Sequence, residues 1–425
     1  MNGNDDPTRS DPNNSNQGDI PTLSRIDDVK AIGTKIGRYK ILSVLGEGGF
    51  GIVYLAEQKH PIRRQVALKI IKPGMDSKQV ILRFKAERQA LALLDHPNIA
   101  RIHDAGTTDN GLPYFVMEYV KGEPITEYCD GNRLNTEQRL HLFLQVCEGI
   151  QHAHQKGLIH RDVKPSNILV TRQGEKAVPK VIDFGVAKAV NQPLTEHTLF
   201  TAQGQFIGTP EYMSPEQAEL TNQDIDTRSD VFSLGVVLYE LISGTLPFDS
   251  ETLRGAAFDE ILRIIRHEEP PRPSTKLSGL GDEAKAIAER HCTQLKTLTT
   301  QLHNELEWIP LKAIRKESSR RYQSASELAD DISNYLAGNS LLAGPESAGY
   351  RLKKAIKRNR VLVTGIAAVL VVLIAGIIVS MGFAFGATKA RKSEENQRIA
   401  EEQARTKAES SEKIALEQRK KVERL

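Results

Sequence analysis

An α+β domain followed by one membrane-spanning helix is the architecture this sequence predicts, and three observations carry it. Early in the chain, short apolar strands flank a glycine-rich turn, Gly46-Glu47-Gly48-Gly49-Phe50-Gly51. Further on the pattern turns helical, with apolar residues at three-and-four spacing over 78–94 and an all-round apolar stretch from Asp230. Near the C-terminus, residues 361–386 form a run of 26 without a charge. That exceeds the ~20 residues needed to cross a bilayer as a helix.

At 425 residues, the chain has room for one large domain with appendages or for two ordinary ones. Apolar and charged fractions of 39% and 26% suit a soluble core, and a net charge of +3 gives no reason to expect a nucleic-acid partner. The three cysteines, Cys129, Cys147 and Cys292, show no C-x-x-C spacing. They exclude a zinc or disulfide framework and read as small core residues in a reducing compartment. The N-terminus lacks the basic start and apolar run of a secretory signal, so the domain after it is expected in the cytoplasm.

Composition divides the chain into five zones. Residues 1–38 are a polar leader too poor in apolar residues to offset the entropy of ordering. Residues 39–337 alternate apolar segments and turns as a globular domain does, and 338–360 are a basic linker. Residues 361–386 are the membrane helix, and 387–425 a charged helical tail. Arg351, Lys353, Lys354, Lys357, Arg358 and Arg360 precede the uncharged run with no acid among them, whereas Lys389, Arg391 and Lys392 after it are soon joined by Glu394 and Glu395. The stronger basic flank stays cytoplasmic. The globular domain is therefore expected inside, the tail on the opposite side, and the lipid bilayer is the first partner. The basic flank also suits anionic headgroups. In the tail, Ile399, Ile414, Leu416 and Val422 hold no heptad seam, which favours a solvated helix over a coiled coil. The abrupt stop at Leu425 leaves room for a further domain beyond it.

The glycine turn lies between an apolar stretch over 41–45 and another over 52–55, that is, strand, turn, strand. Glycines let backbone N–H groups approach phosphate oxygens unobstructed. A dinucleotide fingerprint would need a helix after the glycines; here a second strand follows, which suits a loop folding over a nucleotide. In Val66-Ala67-Leu68-Lys69-Ile70-Ile71, period-2 alternation puts Val66, Leu68 and Ile70 on one face and Ala67, Lys69 and Ile71 on the other. Lys69 is thus a cation among apolar neighbours. Over 78–94, Phe84, Leu91 and Leu94 share an inward helix face with Glu87. A carboxylate there needs a counter-charge, and Lys69 is the cation at hand.

The polar loop His160-Arg161-Asp162-Val163-Lys164-Pro165-Ser166-Asn167 precedes an apolar strand at 168–170, a turn containing Gly174 and a second strand at 178–182 that leads into Asp183-Phe184-Gly185. Antiparallel pairing of those strands brings Asn167 and Asp183 to one end of a hairpin. Two converging oxygen donors suit Mg²⁺. Asp162, five residues before Asn167, is the candidate to accept a substrate hydroxyl proton.

In order and spacing these motifs resemble the protein kinase family, over residues 39–337. The stretch Gly208-Thr209-Pro210-Glu211-Tyr212-Met213-Ser214-Pro215-Glu216 looks like the end of its activation segment, with Ser214 where alanine is usual. The resemblance implies a two-lobed fold, a small β-rich N-lobe and a larger helical C-lobe. It implies ATP and Mg²⁺, with Mn²⁺ an alternative. Nucleotide-contacting positions would be Leu45, Gly46, Glu47, Gly48, Gly49, Phe50, Gly51, Ile52, Val53, Ala67 and Lys69, with Met117 gating the adenine pocket and Glu118 and Val120 in the hinge. Asp162, Lys164, Asn167, Lys69 and Glu87 would carry catalysis, and Asn167 and Asp183 the metal. Glu216 and Arg321 would form a structural ion bridge, and Asp230 would steady the catalytic loop. Lys164 and Thr209 resemble serine/threonine rather than tyrosine kinases, so the implied substrates are protein Ser and Thr hydroxyls. Arg161 before Asp162 marks the class controlled by activation-segment phosphorylation, with Thr201 first among the candidates, then Thr198, then Thr195. Domain order resembles bacterial receptor-like kinases and is compatible with a kinase-domain dimer that autophosphorylates. The rivals are a pseudokinase scaffold, which would lack Lys69, Asp162 or Asp183, and a small-molecule kinase, against which Lys164 and the segment after Thr209 argue.

Overall fold

A computed structural model describes residues 32–48, 51–71, 93–184, 209–219, 225–345, 347, 349, 350, 352, 354, 356 and 359–422. It divides the chain into two compact units, Met1–Glu346 and Ser347–Leu425.

The first unit opens with an antiparallel sheet in the order β1-β2-β3-β4-β6-β5, formed by β1 (Lys35–Ile36), β2 (Tyr39–Gly48), β3 (Gly51–Gln58), β4 (Arg64–Ile71), β5 (Ile102–Thr107) and β6 (Pro113–Glu118). The alternation predicted for β4 holds residue by residue. Val66, Leu68 and Ile70 enter an outer apolar cluster with Tyr39, Ile41 and Tyr54. Ala67 and Ile71 face the main core with Phe115 and Met117, and Lys69 stands between them with its side chain 13% exposed. Neighbours on a pleated strand point to opposite faces, so one strand serves two cores.

After the sheet the chain crosses to a smaller one, β7 (Glu123–Pro124), β8 (Ile168–Gln173) and β9 (Lys176–Val181). A Cβ at Gly122 would stand 2.6 Å from the Val170 carbonyl, so only glycine lets the crossing lie against β8. Helices α1 (Ile125–Gly131), α2 (Thr136–Gln155), α3 (Pro215–Ala218), α4 (Thr227–Ser243), α5 (Ser250–Gly255), α6 (Phe258–His267), α7 (Pro273–Ser278), α8 (Asp282–Arg290), α9 (Leu295–Gln301), α10 (Trp308–Ala313) and α11 (Ala325–Leu336) build the larger lobe. α4 is its centre, buried on all sides as its apolar sequence predicts. Asn135 caps α2 in a reciprocal box with Gln138, which fixes where that 20-residue helix starts.

Cys129 and Cys147 are buried core residues, but Cys292 is exposed, which corrects the expectation for the third thiol. It sits just past α8 in a left-handed turn, φ +51, and its Sγ donates to the Arg133 carbonyl at 3.1 Å. The turn, not the residue's hydrophobicity, sets where its side chain points.

The second unit is dominated by α12 (Arg360–Val422), 63 residues without interruption. It is long and apolar enough to cross a membrane. Its apolar side chains are uncovered, Leu373 60%, Ile377 58% and Phe383 78% exposed. A helix buried in a protein core would not leave them so.

Candidate active site

The β8–β9 hairpin pairs Ile168 with Val181, and the Ile182 amide donates to the Asn167 carbonyl at 2.9 Å. Asn167 and Asp183 therefore arrive at one end of the hairpin, as the strand pattern predicts. Beside them the Asp162 carboxylate accepts from Asn167 Nδ2 at 3.0 Å and pairs with Lys164 Nζ at 3.0 Å. Asn167 Nδ2 also donates to the Asp162 carbonyl, 2.8 Å. Lys164 Nζ reaches Thr209 Oγ1 at 3.2 Å, which ties the loop to the segment after the activation loop. A carboxylate, an ammonium and a hydroxyl thus meet at one point.

The loop is held in an unusual shape. Arg161 and Asp183 both have positive φ, +64 and +60, a conformation that costs a non-glycine residue about 1–2 kcal/mol. Asp230, fully buried on α4, offsets that cost at Arg161. Its carboxylate accepts from the amides of His160 and Arg161, each at 2.7 Å, and from His154 Nε2 at 2.8 Å. Burial pushes this carboxyl up, but the His154 bond and the His160 amide outweigh it and hold the group below the usual carboxylate range. His160 is also buried, and burial lowers its pKa, so it stays neutral. Its Nε2 donates to the Ile182 carbonyl at 3.0 Å, which leaves Nδ1 to accept the Asp162 amide at 3.3 Å.

Across the cleft, Lys69 Nζ makes an ion pair with Asp183. Glu87, the partner expected for Lys69, lies outside the described residues, as do Gly49, Phe50, Thr195, Thr198 and Thr201. A cleft lies here, lined by Lys69, Ile71, Phe115, Met117, Asp183 and Phe184 among others. Val53 pairs with Lys69 across β3 and β4. Ile52 turns its side chain into the outer cluster, on the face away from Lys69, because alternation sends neighbours opposite ways. Ala67, Met117 and Val120 are buried, 7–8% exposed, while Leu45 is 44% exposed. Glu118, at the end of β6, accepts from Lys180 Nζ at 3.0 Å and from the Arg101 amide at 3.2 Å.

The glycines separate into two kinds. A Cβ at Gly51 would collide with the Ile70 carbonyl, so that glycine serves strand packing. A Cβ at Gly46 would meet nothing within 4 Å and one at Gly48 only the Gly51 carbonyl at 4.0 Å. Protein packing does not require glycine at either position. Space beside Gly46 and Gly48 and the Lys69 ammonium fit a polyphosphate, and the hard oxygens of Asn167 and Asp183 fit a divalent cation bound to it.

Ser214, where alanine is usual, is wholly buried and caps α3. Its Oγ accepts from the Gln217 amide at 3.4 Å, and Gln217 Oε1 accepts from the Ser214 amide at 3.1 Å. Gln217 Nε2 then donates to the Arg161 carbonyl at 2.8 Å. Glu216 takes a bidentate pair from Arg321, 2.7 and 2.8 Å, with Ser229 Oγ donating at 2.6 Å. Burial pushes the Glu216 carboxyl up, and the Arg321 bond and charge more than reverse it, leaving it below the usual range. Sequence reading missed His154 and Gln217. The S-x-x-Q spacing at Ser214 was a readable capping signal; nothing in the sequence joins His154 to Asp230, 76 residues away.

Residues 39–321 match the protein kinase domain family. This chain belongs to that family. Its six-stranded sheet and helical part are the small and large lobes of a kinase domain. Among curated relatives, serine/threonine-protein kinase PrkC of Bacillus subtilis is 36% identical over 304 residues, 71% of this chain and 41% of PrkC. Serine/threonine-protein kinase PknB of Mycobacterium leprae is 34% identical over 301 residues, 69% of this chain and 42% of PknB. The chain thus spans about two fifths of the length of these relatives. The kinase domain of Mycobacterium tuberculosis PknI is 26% identical, covering 72% of this chain and 99% of that one with a TM-score of 0.49.

Proposed function

We propose that this chain is a membrane-anchored serine/threonine protein kinase that transfers the γ-phosphate of ATP to Ser or Thr hydroxyls of proteins and phosphorylates its own activation segment. The observation that carries the reading is the Asp162 carboxylate held 3.0 Å from both Lys164 Nζ and Asn167 Nδ2, with Thr209 beside the lysine. In this reading Asp162 orients the acceptor hydroxyl and takes its proton as the oxygen bonds to the γ-phosphorus. The bond from that phosphorus to the bridging oxygen breaks and ADP leaves. Lys164 balances charge near the acceptor, and Lys69, with Glu87 as its partner, steadies the nucleotide phosphates. The space beside Gly46 and Gly48 lets the same phosphates approach the backbone, and Met117, Glu118 and Val120 border the adenine. Mg²⁺, or Mn²⁺, held by Asn167 and Asp183 would neutralise phosphate charge.

Relatives named as serine/threonine kinases support the choice of acceptor. Uncovered apolar side chains on α12 support a lipid surround, since a solvated patch of that size is untenable in a soluble monomer. The basic linker 338–360 then lies on the cytoplasmic side with domain 39–337, the membrane segment is 361–386, and the tail 387–425 is opposite. Thr201, then Thr198 and Thr195, are the proposed phosphosites, reached when two kinase domains meet.

Incubating the full chain in detergent with labelled ATP and Mg²⁺, beside Asp162→Asn and Lys69→Met, tests this. The expected result is label on Thr201 or Thr198 in the wild type and a fall of about 10²–10⁴-fold for Asp162→Asn. ATP binding without any transfer by the wild type would replace the kinase with a scaffold. Inserting an arginine pair into 361–386 should release the chain from carbonate-washed membranes; retention would end the single-span reading.

A further inference from the structure

Past the family match, which ends at residue 321, the chain completes α11 and folds back on itself. Gly338 turns it at φ +70, and the Asn339 amide returns to the Asn334 carbonyl at 2.8 Å. Leu341 drops into the main core, 6% exposed. The next two amides, Leu342 and Ala343, donate to the two oxygens of Asp331 at 2.6 and 2.9 Å. Asp331 is 1% exposed. One of the same oxygens accepts from the buried Tyr322 hydroxyl at 2.7 Å. Lys312 closes the arrangement, donating to the Leu342 carbonyl at 3.2 Å with its Nζ 5.1 Å above the Tyr322 ring.

Tyr322 is the residue after Arg321, whose guanidinium grips Glu216 under the substrate-side segment. One buried carboxylate therefore joins the exit of the chain to the anchor of that segment. A segment held by scattered apolar contacts would peel off gradually. A segment whose two amides share one buried carboxylate is held or released as a unit, because losing one bond leaves a buried charge short of a partner.

We infer that residues 338–343 are a strap clamped by Asp331, and that Asp331 is a positioning residue which, through Tyr322 and Arg321, keeps Glu216 and the end of the activation segment in place. Release of the strap, which frees about 20 Å of chain, then loosens substrate binding without touching the nucleotide side. The substrate arm rests on the kinase reading; the exchange arm does not.

The test uses the full chain in detergent with Asp331→Asn, Ala343→Pro, the double variant, and Leu298→Ala as a core-destabilised control. Hydrogen exchange is read at the Leu342 amide for the strap and at Gln217 and Ala218 for the segment, alongside KM for a protein acceptor and for ATP. Expected for Asp331→Asn is exchange at least tenfold faster at Leu342 and severalfold faster at Gln217 and Ala218. The acceptor KM should rise three- to tenfold, with ATP KM unchanged. The double variant should be no worse than the stronger single one, and Leu298→Ala should show no such local pattern. Slow exchange at Leu342 in Asp331→Asn, or fast exchange there with Gln217 and Ala218 at wild-type rates, overturns the inference. If Asp331→Asn fails to fold, Ala343→Pro is judged by the same criteria. A wild type without transferase activity would defeat the kinase reading, while the exchange result would still decide the strap.

Discussion

The catalytic loop and the glycine turn flank one cleft but are secured differently. In the loop, the His160 and Arg161 amides, the Arg161 carbonyl and the Asp162 amide all have named partners, and the Asp230 carboxylate that organises them is fully buried. In the turn, Val44 and Leu45 are 48% and 44% exposed, and Gly46 has open space where a side chain would be. On the proposed reading, the positions that hold geometry for proton transfer are tied from several sides. On the same reading the turn lets a nucleotide in and out, and among its described residues Gly51 is packed tightly against the Ile70 carbonyl of β4.

Asp230→Ala is the strongest way to break this contrast. It removes the acceptor for two buried amides and His154, and should cost about 3–5 kcal/mol in a denaturant titration. An unchanged midpoint would mean the loop is no better secured than the turn. The floor beneath the loop extends to the substrate-side segment through the Tyr212 hydroxyl, which donates to Glu240 at 2.6 Å. Burial pushes the Glu240 carboxyl up to about 7, Asp130 adds to that, and the Tyr212 bond opposes it. A carboxyl raised in the folded state binds more protons folded than unfolded, so its stabilising effect is complete at low pH. It is lost as pH rises from the unfolded value of about 4.5 through 7. Glu240→Gln should therefore raise stability by about 1–3 kcal/mol at pH 8 and change it little at pH 4. A variant no more stable at pH 8 than the parent would remove Glu240 from the buried floor.

Smaller effects sharpen the picture within the turn itself. Gly51→Ala should cost about 1–3 kcal/mol, because the added methyl has to displace the backbone at Ile70. Gly46→Ala should stay within about 0.5 kcal/mol in stability yet raise ATP KM a few-fold. Equal losses at both glycines would show the turn to be packed throughout.

Much of this was legible from local pattern. The two faces of β4 follow from alternation at Val66, Leu68 and Ile70 against Ala67 and Ile71, and the hairpin that joins Asn167 to Asp183 follows from two strands and one turn. The capping box at Ser214 was legible too, though the resemblance drew attention to the missing alanine instead. What stayed hidden is long-range: His154 on Asp230, Gln217 on Arg161, and Tyr322 with two later amides on Asp331. Each joins a polar group to a partner with no periodicity or spacing to announce it. Cys292 shows the converse, an apolar-seeming residue carried outward by a left-handed turn.

By itself the sequence determined the strands, the buried helix α4, the apolar length of α12 and the identity of the chemical groups, because strand and helix periods are local and motifs preserve residue type. Only the tertiary structure decided which groups meet. It put Asp162 against Lys164 and Asn167, Lys69 against Asp183, and one buried carboxylate beneath Arg161 and another beneath the strap. A buried charge is tolerable only where folding brings donors from separate segments together, and that closure depends on the whole core rather than on any window of residues.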